Sequence, residues 1–92
     1  MAETQIAPQT RQSCHEIVQT AIRHCSRLVV DYPPALMVRC MGLPTIRAAQ
    51  QAMDDAAVAG DLAATTAAAR DYYRCWRDTL AQEAPNVETG PA

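Results

Sequence analysis

Three breaks divide this chain: Tyr32-Pro33-Pro34, Gly42-Leu43-Pro44 and Gly60-Asp61. Each gives one helix a physical reason to stop and another a reason to start. A residue before proline is pushed out of the helical region, and proline itself suits a first helical turn. Glycine followed by aspartate joins a helix end to a helix cap. Between the breaks, apolar residues recur at steps of three and four, and no stretch alternates as a half-buried strand would. The chain is therefore expected to be all-α, a small bundle of three longer helices plus one short helix.

Ser13-Cys14-His15-Glu16 fits a capping box, which starts the first helix at Thr10 or Ser13. Its apolar stripe is Cys14, Ile17, Val18, Ala21, Cys25, Leu28 and Val29, and Tyr32 closes it. A short helix follows over Pro34 to Met41. Gly42 then suits the left-handed position past a helix end, with Leu43 folding back onto Val38. The third helix runs from Pro44 or Thr45 to about Ala59 and turns Ile46, Ala49, Met53, Ala56 and Ala57 to one side. Asp61 caps a fourth helix to about Glu83, with Leu62, Thr65, Ala69, Tyr72, Tyr73, Trp76 and Leu80 as its stripe. Alanine-rich sequence on both sides of Gly60 offers an alternative, one long helix running through the glycine at roughly 1 kcal/mol. Residues 1–9 and 85–92 are polar, proline-containing and aperiodic. They are expected to be disordered tails around a helical domain at 10–84.

A 92-residue chain with no Phe and one Trp has little large side-chain area with which to build a core. Completion by a homodimer or a protein partner is expected. All eight basic residues are arginine and the formal net charge is −2, so bulk attraction to nucleic acid or anionic lipid is absent. No apolar run approaches the ~18 residues of a membrane span. Met1 to Gln5 shows no export signal, so the four cysteines read as thiols of a reducing cytoplasm. Arginine and alanine usage suggests a bacterial source.

Cys14, His15, His24 and Cys25 invite a metal reading that helix geometry opposes. Cys14 and Cys25 share a face but stand roughly 16 Å apart along the axis, and His15 and His24 point to opposite sides. Cys40 and Cys75 belong to no Cys-x-x-Cys pair, so no metal site or other cofactor is expected. If Ser13 caps the helix, Cys14 falls in the first turn, where the helix dipole favours a thiolate, and becomes a candidate reactive thiol. Otherwise it is an ordinary packed cysteine. There is no glycine-rich phosphate loop and no nucleophile motif, and Asp54 and Asp55 splay about 100° apart on their helix. No enzymatic activity is expected.

Two segments carry the functional readings. Leu36 to Arg47, with Gly42 at a turn between apolar Met37, Met41 and Leu43, resembles a helix-turn-helix unit. That resemblance implies DNA reading by Thr45, Arg47, Gln50 and Gln51, side-chain types that contact base edges. The segment departs from the pattern at Val38, where a small residue is usual, and at Gln51, where an apolar anchor is usual. Asp54 and Asp55 also follow its single arginine. The other segment is Asp71 to Asp78, whose Tyr72, Tyr73, Arg74 and Trp76 are the types that dominate protein interfaces. Trp76 is expected inside the bundle, and at least one tyrosine at an association surface. The primary expectation is a non-catalytic protein-interaction or regulatory module that self-associates. A DNA-binding regulator is the alternative, and an amphipathic protein coating an apolar surface or granule is a third.

Overall fold

The computed structural model describes residues 8–86. They form α1 (Pro8–Val29), α2 (Pro34–Met41), α3 (Pro44–Val58) and α4 (Leu62–Glu83), followed by a 3-10 turn at Ala84–Asn86. The described residues contain four α-helices and no strand, the all-α bundle of three longer helices and one short one. Of the tails expected at 1–9 and 85–92, residues 1–7 and 87–92 lie outside the described residues. Pro8 and Gln9 are already helical.

The start of α1 is a correction. Proline's fixed φ and missing N–H suit a first helical position, and the helix begins at Pro8 rather than at Thr10 or Ser13. Ser13 therefore lies inside the helix, where no free backbone N–H remains for it to cap. Glu16 accepts instead from Gln12 Nε2 at 3.2 Å.

The left-handed helix end lies at Gly60 and not at Gly42. Gly42 has φ −86° and ψ −6°, right-handed geometry, and its N–H bonds to Arg39 O at 3.3 Å. The expected left-handed position is not there. Leu43 packs against the core while Val38 stays 65% exposed. The left-handed glycine is Gly60, with φ 70°. Asp61 N–H bonds to Ala56 O at 3.1 Å and Gly60 N–H to Ala57 O at 3.0 Å, the paired bonds of a Schellman end. Asp61 then caps α4, its Oδ1 accepting from Ala64 N–H at 3.0 Å. The chain thus breaks into two helices at Gly60 and does not run through as one. Gly60→Ala is expected to cost about 1–2 kcal/mol, because an added Cβ strains left-handed backbone. Gly42→Ala is expected to gain about 0.4–1 kcal/mol by restricting the unfolded chain, since its Cβ meets only Arg39 O at 3.7 Å. The two denaturation midpoints should move in opposite directions.

The tight turn at Gly60 makes α3 and α4 an antiparallel pair. Val29, at the end of α1, gathers with Met37 and Met41 of α2, Ile46 of α3 and Trp76 of α4. Arg39 of α2 binds Glu83 at the end of α4, N to O 2.7 Å. The end of α1 therefore lies where α3 begins and α4 ends, and α1 and α4 point the same way. Helix α4 is the spine, packed by α1, α3 and α2. Its buried residues are Thr65, Ala69, Tyr72, Trp76, Thr79 and Leu80. Leu62, expected in this stripe, is 45% exposed, because it is the first residue of the helix and no further turn covers it.

Candidate functional site

Periodicity on α4 creates the main surface feature. Tyr72, Trp76 and Leu80 point into the core at steps of four. Each residue one place further on is turned about 100°, which sets Tyr73 and Arg77 at the edge of α4 facing α1. Together the two helices bound an open groove of about 1080 Å³. Its floor is apolar and at least half-buried: Ile17, Ala21 and Leu28 from α1, Ala69 and Tyr73 from α4. Its α4 wall is exposed Arg70, Arg74 and Arg77, while the α1 side brings Glu16, His24, Arg27 and Asp31. The His24 ring meets the Tyr73 ring edge-on, with centroids 6.4 Å apart and planes at 81°.

Of the residues expected at an interface, only Tyr73 and Arg74 reach this groove. Tyr72 and Trp76 are core, 6% and 5% exposed. A chain with so few large side chains places its bulkiest ones inside, where the hydrophobic gain is greatest. Arg74 pairs with Asp71 at 3.6 Å, whereas Asp78 takes Arg77 at 3.1 Å rather than Arg74. Sequence reasoning missed Arg70 and the whole α1 side. The i, i+4, i+7 spacing of Arg70, Arg74 and Arg77 was a readable signal; the pairing with α1 was not.

The helix-turn-helix candidates Thr45, Arg47, Gln50 and Gln51 are all exposed on α3. Arg47, Gln50 and Gln51 fall within about 100° of arc, and Thr45 lies about 120° beyond. Gln51 Nε2 donates to Asp55 Oδ1 at 2.8 Å, which ties one candidate reader to a carboxylate.

Cys14 is fully buried, and with α1 starting at Pro8 it lies past the first turn. The condition that made it a candidate reactive thiol is not met. Cys25 and Cys40 are buried as well, and Cys75 is half-buried with its Sγ 3.7 Å from Thr45 O. Burial, reinforced by the neighbouring Cys75 thiol, pushes the Cys25 thiol up to about 11 from an ordinary value of 9.0. The unfolded chain releases this proton at lower pH than the folded chain, so deprotonation favours unfolding. The contribution is whole below about pH 9 and is lost towards pH 11 at up to about 1.4 kcal/mol per pH unit. Denaturation midpoints near pH 8 and near pH 10.5 should differ, and by less in Cys25→Ala.

A smaller hollow of about 240 Å³ lies where the four helices meet, lined by Ile22, Cys25, Val29, Met41, Ile46 and Trp76 among others. The Trp76 indole N–H has no hydrogen-bond partner among the described residues. It lies close enough to the Tyr72 phenol to oppose in part the rise that burial imposes on that group, without hydrogen-bond geometry. Among the described residues no group of three or more His, Cys, Asp or Glu side chains is placed to hold a metal ion. No helix there is long and apolar enough to cross a membrane. No protein-family model matches the chain, and no curated protein or solved structure matches it either.

Proposed function

We propose that this protein is a non-catalytic interaction module whose contact surface is the α1–α4 groove. One observation carries the reading: Tyr73, of a type that anchors interfaces, sits half-buried in an apolar floor that remains open to solvent. A surface of this kind gains free energy when a partner covers it, and the thin core behind it is one that association would reinforce. Arginines along one edge supply the polar rim that gives such contacts their register.

The test is site-specific photocrosslinking in the cells that make the protein. A crosslinking side chain in place of Tyr73 is expected to capture one protein species, and to lose it when Arg74 is also changed to Glu. The same group in place of Gln51, on the outer face of α3, should capture nothing. Capture from Gln51 alone would move the contact to α3 and overturn the groove reading. Recovery of DNA at that position would support the helix-turn-helix alternative, with Arg47 as its test residue.

A further inference from the structure

We infer that the groove receives an acidic amphipathic helix of a partner protein, a deepening that rests on the groove being the contact surface. Charge is the first ground. Among the residues that line the groove, Arg27, Arg70, Arg74 and Arg77 outnumber Glu16 and Asp31, while Asp71 and Asp78 stand just outside it beside Arg74 and Arg77. Arg27 and Arg70 have no ion pair among the described residues, and the pairs made by Arg74 and Arg77 are exposed neighbours on their own helix. Exposed pairs of that kind are worth tenths of a kcal/mol and yield readily to a carboxylate on a partner.

Spacing is the second ground. Arg70, Arg74 and Arg77 follow one another at four and three residues, or about 6 and 4.5 Å along the axis of α4. A helix lying alongside meets that wall with carboxylates at i, i+4 and i+7. From Thr66 to Arg77 the groove follows α4 for roughly 17 Å, which is about three turns of a partner helix. The floor of Ile17, Ala21, Leu28, Ala69 and Tyr73 fits an apolar stripe on the same helix. A fourth long helix seated there turns the three long helices into a four-helix bundle.

A second copy fits less well. Pairing α4 with its own copy sets one arginine wall against the other. Asp54 and Asp55 are adjacent on α3 and splay apart. Asp71 and Asp78, two carboxylates at i and i+7 on α4, already lie beside Arg74 and Arg77 of the same wall, so a second copy offers no three-carboxylate stripe to match it. Duplex DNA would satisfy the arginines but leave the apolar floor uncovered.

The experiment uses the full chain and fluorescence anisotropy with two labelled helical peptides. Both carry a leucine stripe; one has Glu at i, i+4 and i+7 on its flank and the other has Lys there. The Glu peptide is expected to bind saturably and at least about tenfold more tightly than the Lys peptide. In the Arg70→Glu, Arg74→Glu variant the preference should invert. Both arginines are exposed, and unchanged circular dichroism would show that the bundle survives. Equal binding of the two peptides, or none, overturns the inference. So does displacement of the Glu peptide by random duplex DNA, or a concentration-dependent dimer in sedimentation that the Glu peptide fails to dissociate. If the Tyr73 crosslink captures a protein while the Glu peptide does not bind, the acidic-helix inference falls and the groove reading stands. Failure of both removes the groove itself.

Discussion

Trp76→Ala is expected to remove a large share of the bundle's stability. Removing a buried tryptophan costs about 3–5 kcal/mol, since the lost transfer free energy is joined by a cavity that the neighbours fill only in part. A domain of this size has roughly 4–12 kcal/mol in total. The loss is hard to absorb here because the chain has one Trp and no Phe. Trp76 also lines the hollow where α4 meets α1, α2 and α3, so its loss loosens the hold of α4 on all three other helices. Trp76→Phe should cost far less. It keeps a ring in the core and removes an indole N–H that has no partner among the described residues. Circular dichroism with urea denaturation distinguishes the two. An alanine variant as stable as the parent would mean that this junction does not hold the bundle together.

Met53→Ala is expected to cost about 2–5 kcal/mol and to act unevenly over the molecule. Met53 is fully buried, and Ile46 is the other buried residue of α3. The rest of its inner face is alanine, at Ala49, Ala56 and Ala57. Truncating Met53 leaves most of α3 held on α4 by methyl groups alone. Amide hydrogen exchange should therefore quicken first over Pro44–Val58, with α1 and α4 following only as global stability falls. Uniform quickening across all the helices would show that α3 cannot open by itself. Val58→Ala, at a side chain 79% exposed on the same helix, should change stability by less than about 0.5 kcal/mol.

How much was legible in advance follows from the range of each force. The bounds of α2 and α3 were readable because Pro34 and Pro44 act on their own backbone neighbours. The buried set of α4 was largely readable because Thr65, Ala69, Tyr72, Trp76 and Leu80 keep a helical period. Errors arose where two local signals competed. Pro8 and Ser13 both start helices, and the proline prevailed once the helix it opened had made Ser13 an interior residue. Gly42 and Gly60 both fit a left-handed end. Only Gly60 took it. Ala59 caps α3, so Gly60 falls one place beyond the cap, where left-handed backbone closes the helix. Gly42 is itself the cap of α2 and keeps right-handed geometry.

The site was less legible than the fold. Tyr73 and Arg74 were named from their residue types, but Tyr72 and Trp76 were named on the same grounds and are buried. Which aromatic lies inside depends on where the other helices sit around α4. The sequence alone determined that the chain is helical, where the glycine and proline breaks fall, and which residues share a face. Those properties depend on backbone sterics, capping and period, all acting within a few residues. Only the tertiary structure decided that α1 runs alongside α4, that Arg27 and His24 join Tyr73 and Arg70 around one groove, and that Cys14 is sealed. Those facts depend on packing between segments some fifty residues apart, which no local pattern encodes.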